Sequence, residues 1–140
     1  MKSYSLNEIL FFFQAWLLLH VSKVMILIFP FRKIAAKLGK AQLETPEIDF
    51  EKGKWFDVEV AINRASRFTL FKSKCYDQAL TGKYMLRKKS IPSTLYFGLA
   101  KEKGELIAHA WVRAGKRIVT GRAGMEKFSV VAYFGDVCYV

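Results

Sequence analysis

Two cysteines and two histidines carry the nucleophilic and proton-transferring chemistry of this chain: Cys75, Cys138, His20 and His109. A thiol becomes a useful nucleophile when its surroundings favour the thiolate, through a helix N-terminus, nearby cations or a histidine. Cys75 has sequence access to all three. It follows the basic stretch Phe71-Lys72-Ser73-Lys74 and opens a segment of helical character running to Lys89, with Ser73 as the expected N-cap and Pro92 at the exit. In the first turn of such a helix the free backbone N–H groups favour a thiolate and can hold the oxyanion of a tetrahedral intermediate.

A base for that thiol has to come from elsewhere in the fold. Along the expected helix Cys75, Ala79, Gly82 and Leu86 share one face, and the small Ala79 and Gly82 let a sheet approach closely. The segment Leu106 to Arg113 alternates so that Ile107, His109, Trp111 and Arg113 point one way and Ala108, Ala110 and Val112 the other. With Ala114-Gly115 as a two-residue hairpin loop, Thr120 falls opposite His109 and is placed to orient its ring. A single cysteine is often only a small buried hydrophobe and a single strand histidine a satisfied structural residue, and on spacing alone these plainer readings outweigh catalysis. Cys138, three positions from the end of an apolar C-terminus, and Trp111 read as packing.

The elements that must position Cys75 and His109 follow from the rest of the chain. Between Ile9 and Pro30 the sequence is apolar apart from Gln14, His20, Ser22 and Lys23, long enough for one membrane-crossing helix or for a helix buried in protein. Pro30 to Gly39 reads as a short basic helix whose Arg32, Lys33 and Lys37, with Lys40, would keep that end cytoplasmic if the first helix spans. Residues 41–54 form an acidic connector, and the compact domain is expected over 55–140, beyond an apolar and basic helical segment at 1–40. Past Pro92 extended segments are expected at Thr94–Ala100, Leu106–Arg113, Lys116–Thr120 and Phe128–Phe134, separated by glycine turns. Helices first and strands afterwards indicate an α+β fold with an antiparallel sheet of about four strands.

Totals narrow the partners. Lys and Arg outnumber Asp and Glu by 23 to 12, for a net charge of +11, so an acidic peptide, a nucleotide, a nucleic acid or a lipid surface is favoured. The basic residues are scattered, the densest run being Arg87-Lys88-Lys89, and no aromatic RNA-binding signature accompanies them, which argues against nucleic acid. Two cysteines and two histidines without Cys-x-x-Cys or His-x-x-x-His spacing offer neither a disulfide scaffold nor a structural zinc site, so a reducing, cytoplasmic setting without metal is expected. An apolar fraction of 52% suffices for a real core.

The stretch from Cys75 through Phe134 resembles the transglutaminase-like cysteine protease domain of lasso-peptide maturation enzymes. The matching features are the Cys-x-x-x-Ala-Leu start of a helix, the Arg-Lys-Lys-Ser-Ile-Pro turn into a strand, and the Ala-His-Ala-Trp-Val strand followed by a hairpin. The segment from Pro30 to Gly39 resembles the region ahead of that domain. The resemblance implies that Cys75 attacks the peptide carbonyl at the end of the leader, that His109 takes and returns the proton, and that a third side chain fixes the ring. The family usually supplies an Asp on the strand after the hairpin, whereas this chain has Ile118-Val-Thr-Gly121, leaving Thr120, Asp136 or no third member. The resemblance is to the stand-alone protease of a split system. It implies a lasso-peptide precursor as substrate, a separate leader-recognition protein and a lasso cyclase as partners, and no cofactor of its own, any ATP dependence residing in the maturation complex.

Overall fold

The computed structural model describes residues 4–49 and 52–136, and side chains from Trp55 onward in the second stretch. Cys138 lies outside the described residues. Helix α1 (Leu6–Ile28) is capped by Ser5, whose hydroxyl accepts from the Glu8 N–H, and stops ahead of Pro30. After α2 (Phe31–Ala35) and a two-residue strand β1 (Lys40–Ala41), the connector leads into α3 (Lys52–Ala65) and then α4 (Cys75–Lys88). The chain finishes as strands β2 (Ser93–Glu102), β3 (Glu105–Ala114), β4 (Arg117–Thr120) and β5 (Ser129–Gly135), with a 3₁₀ turn at Met125–Lys127. The fold is α+β, as the helical and alternating periodicities require.

The sheet has the order β1-β5-β2-β3-β4 and every pairing is antiparallel. The fifth strand, β1, was not expected, because two exposed residues carry no alternation to read. Helices α3 and α4 pack on one face of this sheet, and α1 packs on both of them. One core runs through all layers, from Ala15 and Leu19 of α1 through Val58 and Ile62 of α3 and Ala79 and Leu86 of α4 to Leu95 and Val112 of the sheet. That core crosses the expected divisions at 40 and 54. Ser22 of α1, buried at 6% exposure, shares a 3.1 Å hydrogen bond with Thr81 of α4, tying the apolar helix to the helix that carries Cys75.

The opposite face of the sheet is covered too. Arg113, 6% exposed, donates to Tyr96 Oη at 3.0 Å, to the Gly115 carbonyl at 2.6 Å and to the Thr45 carbonyl at 2.8 Å. Each of the three guanidinium nitrogens thus has an acceptor within the protein, which offsets the cost of burying the charge. It fastens the acidic connector at Thr45 to β3, and Thr45 adds a 2.6 Å hydroxyl contact with Thr94 of β2.

Candidate active site

Cys75 is the first residue of α4, half-buried, with its thiol free and packed against the core. The expected cap, Ser73, does not serve as one. The N-cap is Lys74, whose backbone N–H donates to Asp77 Oδ1 at 2.9 Å, while Ser73 Oγ donates to Asp77 Oδ2 at 2.7 Å. Asp77, 1% exposed, therefore closes the turn by reaching backward, as the acid of a capping box does. The first-turn N–H groups of Cys75 and Tyr76 keep the orientation of a helix N-terminus, and Lys72 and Lys74 remain exposed beside the thiol.

Small residues bring the sheet against this helix as expected. Gly82 lies so near β4 that a Cβ there would meet Thr120 Cγ2 at 3.0 Å. Two turns earlier on the same stripe is Cys75, on the side of α4 that faces β4. Along the sheet, Lys83 is level with Ser93 and Tyr76 with Phe97, whose ring lies 5.4 Å away at 80°. Phe97 pairs with Ala110, so the start of α4 is level with Ala110 and its neighbour His109.

Strand β3 runs in unbroken register with β2, so its alternation holds throughout. Ala110, Val112 and Ala114 enter the core beneath α4, and His109, Trp111 and Arg113 take the other face. His109 stacks between Trp111, at 5.7 Å and 28°, and Phe128, at 5.0 Å and 25°. Its Nε2 lies 2.7 Å from the carbonyl oxygen of Gly121, the residue that follows β4. A carbonyl only accepts, so in the neutral ring Nε2 carries the hydrogen and Nδ1 is the basic nitrogen. Gly98, opposite His109, leaves the room for this aromatic shelf: a Cβ there would stand 2.8 Å from Phe128 Cβ and 2.9 Å from the Trp111 ring.

Neither expected third member holds the imidazole. Thr120 is opposite Val112, not His109, because the hairpin loop is Gly115-Lys116 and a bulge between Val112 and Arg113 shifts the register. Its side chain faces Gly82 on the helix side, and its buried Oγ1 has no hydrogen-bond partner among the described residues. Asp136 sits at the far end of α4, where its carboxylate meets Lys83 Nζ at 3.2 Å, Arg87 Nε at 2.8 Å and the Ser93 N–H at 3.0 Å. Burial lowers the Lys83 pKa to about 8, and Asp136 opposes that shift. The group that orients His109 is a backbone carbonyl, which no side-chain motif reveals.

The structure thus brings Cys75 and His109 to the same end of the sheet, at its β4 side, from opposite faces of β3. No hydrogen bond joins thiol to imidazole among the described residues. The β4 ladder covers only Val112 to Ala114, and beyond it Gly121 lies against the edge of β3, where a Cβ would collide with the Ala110 carbonyl and stand 2.8 Å from Trp111 Cβ. Two wall residues were missed by sequence reasoning, Phe128 and Tyr76. Phe128 was read only as a strand start, and Tyr76 was not singled out. Burial pushes the Tyr76 phenol up, and its hydroxyl has no partner among the described residues.

Residues 16–133 match the family model described as the transglutaminase-like superfamily. The chain belongs to the transglutaminase-like superfamily. The match begins inside α1, in keeping with the single core that includes that helix. No curated protein and no solved structure matches this transglutaminase-like chain. The superfamily includes cysteine peptidases and transglutaminases, and a cysteine-dependent acyl transfer is compatible with the domain.

Proposed function

We propose that this transglutaminase-like protein is a cysteine peptidase that removes the leader from a lasso-peptide precursor, with Cys75 as nucleophile and His109 as general base and then acid. The observation that carries the reading is that α4 presents Cys75 in its first turn, level along the sheet with the strand that carries His109. Stacking between Trp111 and Phe128 supports the ring from both sides. Because His109 and Cys75 lie on opposite faces of β3 with Gly121 against its edge, proton transfer requires the His109 end of β3 and the Gly121 turn to rearrange so that the imidazole reaches the face of the thiol.

In the reaction, the basic nitrogen of the His109 imidazole accepts the Cys75 proton as Sγ adds to the scissile carbonyl, and the first-turn N–H groups of α4 stabilise the oxyanion. Collapse expels the core peptide's amine, which takes the proton back from His109. Water then hydrolyses the thioester, its proton passing through the same imidazole to the departing thiolate. Exposed Lys72 and Lys74 beside the thiol, within a chain of net charge +11, favour an acidic peptide segment. A separate leader-recognition protein raises the effective concentration of the precursor, and a lasso cyclase takes the trimmed product. The setting is cytoplasmic.

Incubation of a precursor peptide with the protein and its leader-recognition partner, followed by mass spectrometry, tests this. Separate leader and core masses are expected from the wild type and none from Cys75→Ala. A gain in mass or a linked product would instead indicate a different acyl transfer, and an intact precursor would sink the peptidase reading.

The alternative is a non-catalytic transglutaminase-like scaffold of the same maturation system. What favours it is that a neutral carbonyl, rather than a carboxylate, partners His109, which leaves less stabilisation for an imidazolium. In that case Cys75→Ala would leave the reconstituted pathway's output unchanged.

A further inference from the structure

Helix α1 has two apolar faces, and only one is used. Ala15, Leu19 and Ser22 are buried against α3 and α4, while Leu6, Leu10, Phe13, Leu17, Val21 and Val24 are all exposed. At 100° per residue those six fall within a stripe about 80° wide, opposite the buried one. The exposed stripe continues onto neighbouring tips. Trp16 Nε1 donates to the Phe68 carbonyl at 3.0 Å and His20 Nε2 accepts from the Leu70 N–H at 3.1 Å, holding Phe68 (65% exposed) and Leu70 (86% exposed) alongside the helix. At its C-terminal end, Phe29 and Phe31 are exposed as well.

The charges around this surface have one sign. Arg32, Lys33 and Lys37 follow α1, and Arg67 and Lys72 flank Phe68 and Leu70, all of them exposed. The acid on α1, Glu8, is 3.8 Å from Arg64, and residues 64–74 contain no acid. An apolar stripe with a basic rim matches an interface that is apolar inside and anionic at its surface. A second copy of the chain would bring the same basic rim against itself, which opposes self-association through this face.

We propose that α1 docks this domain on an anionic lipid bilayer, lying in the plane of the interface. By length and composition α1 is long and apolar enough to cross a membrane. Crossing would require it to leave the core, giving up the burial of Ala15 and Leu19 and the Ser22–Thr81 hydrogen bond and exposing the faces of α3 and α4 beneath. In-plane docking keeps those contacts and covers only the exposed stripe. The docked face is built by α1 and the 66–72 loop, so the inference does not depend on the chemistry at Cys75.

Flotation of the full chain with phosphatidylcholine vesicles, with and without phosphatidylglycerol, tests the docking. The expected result is partitioning onto the anionic vesicles, about tenfold or more above the neutral ones, that weakens as salt is raised. Leu10→Glu combined with Leu17→Glu should reduce partitioning about tenfold or more with an unchanged thermal midpoint, both sites being solvent-exposed in the free protein. Should that variant fold poorly, the dependence of wild-type binding on lipid charge and salt decides alone. Absence of binding to anionic vesicles, equal binding to neutral ones, or protein that stays with the vesicles after alkaline carbonate as a spanning helix does would overturn it. So would a wild-type chain that ignores vesicles but associates with itself or with a protein partner through Leu10 and Leu17.

Discussion

The two ends of α4 are finished in opposite ways. At its C-terminal end Lys83, Arg87, Asp136 and Ser93 satisfy one another: Lys83 donates to the Ser93 carbonyl, Asp136 takes both cations, and Arg87 also reaches the Lys37 carbonyl. At its N-terminal end Asp77 closes the turn, but among the described residues the half-buried thiol has no polar partner, the imidazole has a single carbonyl, and the Tyr76 hydroxyl is buried without a hydrogen bond. Buried polar groups left unpaired cost about 1–3 kcal/mol each. Such a cost is tolerated where function uses the groups, whereas a closed network holds the fold in place. The contrast separates a structural end from a chemical one.

The largest expected effect breaks the chemical end without touching the structural one. His109→Ala should lower precursor cleavage about 10³-fold or more, with urea unfolding shifted by no more than about 1 kcal/mol. Comparable loss of stability and activity would place His109 in the fold rather than the reaction.

Next comes the reverse experiment. Asp136→Ala removes the carboxylate between Lys83 and Arg87 and leaves a 1%-exposed ammonium with carbonyl partners alone, which should destabilise the chain by about 3 kcal/mol in urea titration. A variant as stable as the wild type would mean that the network is not holding that end.

A smaller effect is the pH dependence of the same end. Because burial lowers the Lys83 pKa to about 8 from the 10.5 of the free side chain, the unfolded chain binds more protons than the folded one between those values. Stability contributed by this group therefore rises with pH from about 8 to 10.5 and is lost again as pH falls toward 8. Lys83→Met should flatten that rise relative to the wild type, and an unchanged slope would remove Lys83 as its source.

The smallest effect concerns Thr120. Thr120→Val deletes an unpaired buried hydroxyl at nearly constant volume, so stability should stay level or increase by up to about 1 kcal/mol, with cleavage unaffected. Slower cleavage would restore Thr120 as the residue that orients His109.

The elements were legible in the sequence and their junctions were not. An unbroken apolar run located α1, the shared face of Cys75, Ala79, Gly82 and Leu86 located α4, and alternation located β2 to β5 to within a few residues. The placement of Thr120 failed for two local reasons, a hairpin loop one residue later than expected and a bulge after Val112, neither of which changes the side-chain pattern. Asp136 looked free in the sequence, but Lys83 and Arg87, one turn apart on α4, claim it. Arg113 read only as sharing a face with His109 and Trp111 and is in fact the clamp on the connector, since its acceptors come from residues as distant as Thr45. The partner of His109 is main chain, and so had no residue type by which to be found.

A peptidase mechanism requires the imidazole of His109 to act on the thiol of Cys75 from across β3. The rate of iodoacetamide alkylation at Cys75, followed by peptide mass spectrometry at neutral pH in the wild type and in His109→Ala, measures it directly. A rate about tenfold lower without the histidine is the predicted result. Equal rates in the two proteins would show that His109 does not act on Cys75 and would contradict the peptidase mechanism.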